Sequence, residues 1–262
     1  MIEQEQYARL LAHAQDLLAR ARDGEITYTA FLSPREQRVL SQLPGAAGRE
    51  LILWGGYAAA ERRRMLFLPP YLQDVDEQTR MEWLADTLDE CMLALCVRGS
   101  GFRELSHRDY LGAILNLGIE RDAIGDLCIT SPHSAILLCD RTMAAFLQET
   151  LERVANDAVC VEQISLSPEF DGGREFRPIT DTVASPRADS VVAALANLSR
   201  ERAQALLREG LVEIDYEPAQ KPDKPVEAGS VVVIRGKGKF IIRSLSEQTK
   251  KGRLRLRADQ YL

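Results

Sequence analysis

The chain is poor in the residues that build small chemical centres. Of its 262 residues, three are histidines and five are cysteines. His13, His107 and His133 lie far apart, and no Cys-x-x-Cys pair occurs. A structural zinc site needs closely spaced Cys and His ligands, so no metal is expected. Cys91, Cys96, Cys128, Cys139 and Cys160 are odd in number and sit within apolar segments. They read as buried, reduced thiols and not as a disulfide framework. The longest apolar runs, such as "LILW" and "AILLC", fall far short of the roughly 18 residues of a membrane span. The start, "MIEQEQYARL", is acidic and mixed, without the basic opening and apolar centre of a secretory signal. A cytoplasmic protein with no membrane association is expected.

Signatures of catalysis are missing as well. "HRD" at 107–109 has the form of a kinase catalytic loop, but the glycine-rich loop, the strand lysine and D-F-G are absent. No lysine at all precedes Lys221. His107, Arg108 and Asp109 therefore read as the first turn of a capped helix. "RGSGF" and "RGKGKF" lack the Gly-Lys-Ser/Thr ending of a phosphate loop. No glycine-rich loop follows a strand in the manner of a methyltransferase. The expectation is a protein with no catalytic residue and no cofactor.

What the sequence does have is charge, unevenly placed. Net charge is −6. Residues 1–179 hold 18 basic and 28 acidic side chains, and residues 180–262 hold 15 and 11. The densest stretch is "RGKGKFIIRSLSEQTKKGRLRLR" at 235–257, with nine Lys or Arg and one acid, Glu247. Such asymmetry points to one region that meets a polyanion and others that do not.

Periodicity divides the chain into modules. Residues 1–75 read as a small α/β module. It has a helix over 1–22, a second helix from Ser33 with Pro34 and Glu36 as start signals, and strands in "RELILWGGY" and "RRRMLFLPPY". "VDEQTRMEWLADTL" reads as a polar connection. Residues 76–168 alternate strand, helix, strand, strand, helix, strand, which predicts a ferredoxin-like βαββαβ domain. RNA-recognition motifs share that order and stack bases on aromatics of the first and third strands. Here those strands, "MLALCVR" and "SAILLCD", carry none, so base stacking on this sheet is not expected and a docking role is. Residues 169–184 read as a linker, and 185–262 as a small domain of two helices and short basic strands. The class is α+β.

The last module carries a specific pattern. Arg187-x-Asp189 opens an apolar helix. Ser199-Arg200 opens a second, with Ala203 inside and Gly210 at its end. Val212 to Asp215 and the Gly229-Ser230 turn follow. Over about 50 residues this resembles the RNA-binding domain named after small-subunit ribosomal protein S-four. "LWGGYAAAERRRMLFLP", "FRELSHRDYLGAILNLGIERDAIGDL" and "VIRGKGKFII" with "TKKGRLRLR" extend the resemblance along nearly the whole chain to the YlmH family. Cyanobacterial members of that family are called photosystem II S-four domain proteins. The resemblance implies a non-enzymatic binder of structured ribosomal RNA on the large ribosomal subunit, acting in rescue of stalled nascent chains. Transfer RNA is a further RNA ligand to consider, and a monomer is expected when the protein is free. Two other readings stand beside it. One is an RNA-modifying enzyme of pseudouridine-synthase type, although the Arg-Leu-Asp-x-x-Thr-x-Gly setting is absent. The other is a scaffold linked to cell division or photosynthesis.

The expected RNA-binding residues are Arg187, Ser199, Arg200, Gln204 and Arg208 on the helices, with Arg235, Lys237, Lys239, Lys250, Lys251 and Arg253 on the strands. Arg200, Gln204 and Arg208 recur every four residues on one helix face. Ser199 and Arg200 sit where free N–H groups attract phosphate. Arg200 is the sharpest choice, and Arg200→Glu is expected to leave the helix intact.

Overall fold

The computed structural model describes residues 2–43, 50–248 and 252–261. The chain forms two compact units, Met1–Gly173 and Arg174–Leu262.

The first unit opens with α1 (Ile2–Arg22), which buries Ala14, Leu17, Leu18 and Ala21 at helical spacing. After β1 (Thr27–Tyr28), α2 (Pro34–Leu40) starts on a full capping box. The Ser33 backbone N–H donates to the Glu36 carboxylate at 2.7 Å, and the Ser33 hydroxyl accepts from the Glu36 N–H. β2 (Leu51–Trp54) and β3 (Arg64–Phe67) complete an antiparallel sheet ordered β1-β3-β2. A short α3 (Pro70–Gln73) follows. The stretch expected to be a polar connection is instead a helix, α4 (Glu77–Cys91). Asp76 caps it by accepting from the Thr79 N–H, and Leu84, Leu88 and Cys91 form its inner face.

The βαββαβ order holds. β4 (Leu93–Gly99), α5 (His107–Asn116), β5 (Ile124–Ser131), β6 (Ser134–Cys139), α6 (Arg141–Thr150) and β8 (Asp157–Ile164) appear in that sequence, with a two-residue β7 (Arg153–Val154) before the last. The sheet order is β5-β6-β4-β8-β7, antiparallel throughout. Helices α5 and α6 cover one face, with Tyr110, Ile114, Ala144 and Leu147 packed on Leu95, Val97 and Leu137. The other face is covered too. Phe31, Tyr57, Ala60, Cys91 and Met92 pack on Ala94, Cys128, Ile136 and Leu138. The surface on which a recognition motif would stack bases is thus an interior here, filled by side chains preceding the domain.

A buried carboxylate ties the same parts together. Asp126 accepts from the Tyr57 hydroxyl at 2.6 Å and from the Glu61 and Arg62 N–H groups at 2.8 and 2.9 Å. Arg62 in turn donates to the carbonyls of Phe31 and Arg121. Burial, with Arg62 beside it, pushes Arg121 down to about 10. Of the five thiols expected to be buried, Cys91, Cys128 and Cys139 are, Cys96 is half-buried and Cys160 is exposed. Cys160 alternates away from the core along β8.

The second unit is a six-stranded antiparallel sheet ordered β11-β10-β12-β13-β14-β9. Its strands are β9 (Phe176–Val183), β10 (Val212–Ile214), β11 (Glu217–Pro218), β12 (Val231–Ile234), β13 (Gly238–Gln248) and β14 (Leu254–Tyr261). Helices α7 (Ala188–Ala196) and α8 (Arg200–Arg208) share the core with the sheet. Val191, Val192, Ala203 and Leu207 meet Val232, Ile234, Phe240, Ile242 and Leu256. β9 corrects the linker expected over 169–184: it pairs residue by residue with β14, from Phe176 opposite Tyr261 to Val183 opposite Leu254.

Candidate nucleic-acid interface

Three of the expected residues converge on one carboxylate. Asp189, in the first turn of α7, is 0% exposed. It accepts from Arg200 Nε at 2.9 Å and Nη2 at 3.2 Å, from Gln204 Nε2 at 2.9 Å and from Arg187 Nε at 3.4 Å. Burial pushes this carboxyl upward, but the donors from Arg200, Gln204 and Arg187 outweigh it and hold it down at about 2. Ser199 caps α8 by accepting from the Arg202 N–H at 3.2 Å. Its hydroxyl is thereby engaged in the helix start. Arg200 does two things: it clamps α8 onto α7 and leaves half of its side chain in water. Arg200→Glu would set a second carboxylate against buried Asp189, so the expectation that the fold ignores this change is revised.

From this clamp a cationic stripe runs along α8. Arg200, Gln204 and Arg208 follow one another one turn apart. Beyond the helix, Gly210 at φ +68° turns the chain back, and the Arg235 N–H donates to the Leu211 carbonyl at 2.9 Å. That bond brings the β12–β13 turn, with exposed Arg235 and Lys237, to the end of α8 where Arg208 stands. Arg187, Arg200 and Gln204 are thus gathered around Asp189, Arg208 stands further along α8, and the turn with Arg235 and Lys237 is bonded beyond the helix end, a strip of mostly basic side chains.

Lys239 and Arg253 lie elsewhere. Phe240 and Ile242 point into the core, so Lys239 and Arg243 point out of the sheet face opposite the helices. The Lys239 ammonium stands 5.3 Å from the Tyr216 ring centre and 4.6 Å from that of Tyr261. Phe176 meets Tyr261 edge-on at 5.0 Å, and Arg243 lies over Phe176 while bonding Asp259 at 2.7 Å. Exposed Arg255 and Arg257 alternate with buried Leu256 and Ala258 on the same outward face. Arg253 donates to the Thr182 carbonyl at the β14–β9 end. Lys250 and Lys251 lie outside the described residues. Sequence reasoning left out Arg243, Arg255 and Arg257, and with them Tyr216, Tyr261 and Phe176. The alternation of basic and apolar residues in "RLRLRA" is the signal that marks the two arginines of β14.

In the first unit, Ser106 caps α5, and its N–H donates to Asp109 at 2.8 Å. The "HRD" triplet is thus the first turn of a capped helix. Among the described residues, no helix is long and apolar enough to cross a membrane.

Comparison with known proteins adds the following. Residues 3–72 match the family model described as "YlmH, N-terminal". Residues 92–168 match "Putative RNA-binding domain in YlmH", and residues 187–232 match the "S4 domain". The chain is 31% identical over 229 residues to the "Ribosome-associated protein quality control protein P2" of Bacillus subtilis (strain 168). That match covers 87% of this chain and 84% of the relative. A solved structure, "Cell division protein ylmH from Streptococcus pneumoniae", is 17% identical with a TM-score of 0.48. It covers 63% of this chain and 95% of that one.

Proposed function

The chain belongs to the YlmH family, and from that premise we propose that it is a non-catalytic RNA-binding protein that grips structured ribosomal RNA on the large ribosomal subunit. Its work is in ribosome-associated quality control, the rescue of stalled nascent chains. The observation that carries this reading is the strip of mostly basic side chains from Arg187 along α8, with the Arg235–Lys237 turn hydrogen-bonded beyond the helix end. An array of guanidinium and ammonium groups on a rigid helix and turn suits the phosphates and 2′-hydroxyls of folded RNA. The S-four-type match over 187–232 and the name of the Bacillus relative support the same reading. A binding role also fits the carboxylates: Asp189 and Asp126 are both committed to structural hydrogen bonds.

The test is co-sedimentation with large ribosomal subunits. A double variant, Arg208→Glu with Lys237→Glu, reverses two exposed charges of the strip without touching the Asp189 clamp. It should weaken retention and lower the salt slope of binding by about one unit per lost phosphate contact. Arg9→Glu, an exposed change in the acidic half, should leave retention unchanged. Equal retention of the two proteins would overturn the assignment.

A further inference from the structure

The loop between β4 and α5 is built to hold one phenylalanine in water. Phe102 is 88% exposed, while the backbone on either side of it is fixed. Asp157, buried at the start of β8, accepts from the Ser100 N–H at 3.1 Å and from the Ser100 hydroxyl. The Gly99 and Leu105 N–H groups donate to the carbonyls of His133 and Pro132, both at 2.8 Å. His133 Nδ1 bonds the Arg103 carbonyl at 2.9 Å. A side chain at Gly99 would sit 2.7 Å from an Asp157 oxygen, and Gly101 adopts φ +89°. Burying a carboxylate costs free energy unless it is well bonded. Here it is bonded to a loop whose tip buries nothing. A large aromatic held rigid and exposed has given up its hydrophobic gain in advance, which is what a contact residue does.

The surroundings say what it would contact. Residues 98–109 contain three arginines, Arg98, Arg103 and Arg108, and two acids, Glu104 and Asp109. All three arginines are exposed, and Arg98 stands 3.9 Å from Glu162. Arg103 follows Phe102 directly, and Arg108 lies in the first turn of α5, so guanidinium groups flank the ring. An unpaired nucleobase uses both, the ring for stacking and the guanidinium groups for flanking phosphates. The loop lies within the region that matches a putative RNA-binding domain. The sheet of that domain is covered, and among its described aromatics Phe102 at 88% is far more exposed than Phe146 on α6 at 40%.

We propose that the β4–α5 loop is a second RNA contact, in which Phe102 stacks on an unpaired base of looped or single-stranded RNA while Arg103 and Arg108 meet phosphates beside it. The inference rests on the RNA-binding reading above. The test uses the full-length protein with two probes, ribosomal RNA stripped of protein and a fully paired RNA duplex. Phe102→Ala should lower affinity for ribosomal RNA about 5- to 150-fold, the range of one lost base stack. It should leave duplex affinity and the salt slope unchanged, because no phosphate contact is removed. Phe102→Trp should bind like the parent, with an added indole emission that ribosomal RNA quenches beyond the Trp54 and Trp83 signal. The double variant Arg208→Glu/Lys237→Glu runs alongside and should lose affinity for both probes. If it does so while Phe102→Ala binds ribosomal RNA like the parent and Phe102→Trp is not quenched, the loop contact is wrong and the α8 strip stands. If neither variant changes RNA affinity, the RNA-binding reading itself falls. If Phe102→Ala binds bare ribosomal RNA normally but loses intact subunits, the ring seats in a ribosomal protein and the proposal is overturned.

Discussion

Replacing Asp189 by Asn removes one charge and almost no volume, and the structure sets what that should cost. The carboxylate is out of water and holds Arg200, Gln204 and Arg187. Its pKa lies at about 2, against an ordinary value of 3.8. At 1.36 kcal/mol per pH unit, a displacement of just under two units gives somewhat over 2 kcal/mol. The arginines are half exposed and screened by water, which brings the figure to about 2 kcal/mol. A depressed carboxyl stabilises the fold above its unfolded value and loses that contribution as pH falls through the folded one. The stabilisation should therefore be complete above about pH 5, and should fade from about pH 4 towards pH 2. Asn keeps one acceptor oxygen but turns an NH2 group toward other donors. At pH 7 the full-length Asp189→Asn protein should show amide hydrogen exchange about 30-fold faster through α7 and α8, with the first unit unaffected. In urea unfolding, the gap between parent and variant should close as pH is lowered to 2. An unchanged exchange rate at pH 7, or a gap that stays constant down to pH 2, would refute the argument. RNA binding of the folded variant should not weaken, since the change frees three donors and removes an anion beside them.

Three further outcomes follow from the same geometry. Ser199→Ala deletes the α8 cap and should cost about 1 kcal/mol in urea unfolding, with RNA affinity of the folded protein little changed; a strong loss of affinity without a loss of stability would instead make the hydroxyl an RNA contact. Asp126→Ala removes the carboxylate acceptor of two backbone N–H groups and leaves the Tyr57 hydroxyl its contact with Cys128, and at about 1–3 kcal/mol per unsatisfied buried group should cost about 2 kcal/mol or more, read as a lowered unfolding midpoint with the second unit's exchange unaltered. Finally, if the strip neutralises about five phosphates, log K should fall against log salt with a slope of magnitude roughly 3 to 5, and a flat titration against ribosomal RNA would exclude a phosphate-dominated contact.

Much of the fold is legible wherever one periodicity dominates. The capping boxes at Ser33 and Ser106 mark α2 and α5, and alternating short strands mark the middle sheet. Two segments escape for physical reasons. In α4 the solvent face carries Trp83, 54% exposed, and Met81, so apolar residues occur all round and the inner stripe of Leu84, Leu88 and Cys91 is blurred. β9 contains Pro178 and alternates mostly polar residues. It is an edge strand, where a proline is tolerated and little is buried, so its sequence resembles a linker. The site is legible as a set of residue types but not as roles. Arg187, Ser199, Arg200 and Gln204 read as phosphate ligands because motif position and charge are visible, while the burial of Asp189 is not. A lone acid between Ala188 and Val191 in an apolar helix is the overlooked signal: a carboxylate there needs partners, and the nearest strong donors are those same side chains.

The covered sheet of the middle domain explains why charge and aromatics are placed as they are. An uncovered four-stranded sheet could offer bases its flat face, and would need aromatics in the centre of its first and third strands. Those positions here are Leu95, Val97 and Leu137 on the helix side, and Ala94, Ile136 and Leu138 beneath Phe31 and Tyr57. Once both faces are interior, an aromatic on them would fill core volume and meet no RNA. In a loop of this domain the backbone has to be tied down by side chains because no ladder does so. Asp157 and His133 supply that restraint for the β4–α5 loop. Among the described residues of the second unit, α7 and α8 share the core on one face of the sheet. Its outward face accordingly retains exposed arginines, and Tyr216, Tyr261 and Phe176 are packed under Lys239 and Arg243. On that outward face the aromatic rings hold cations in place, whereas Tyr28, Trp54 and Phe67 on the first unit's small sheet pack into its core.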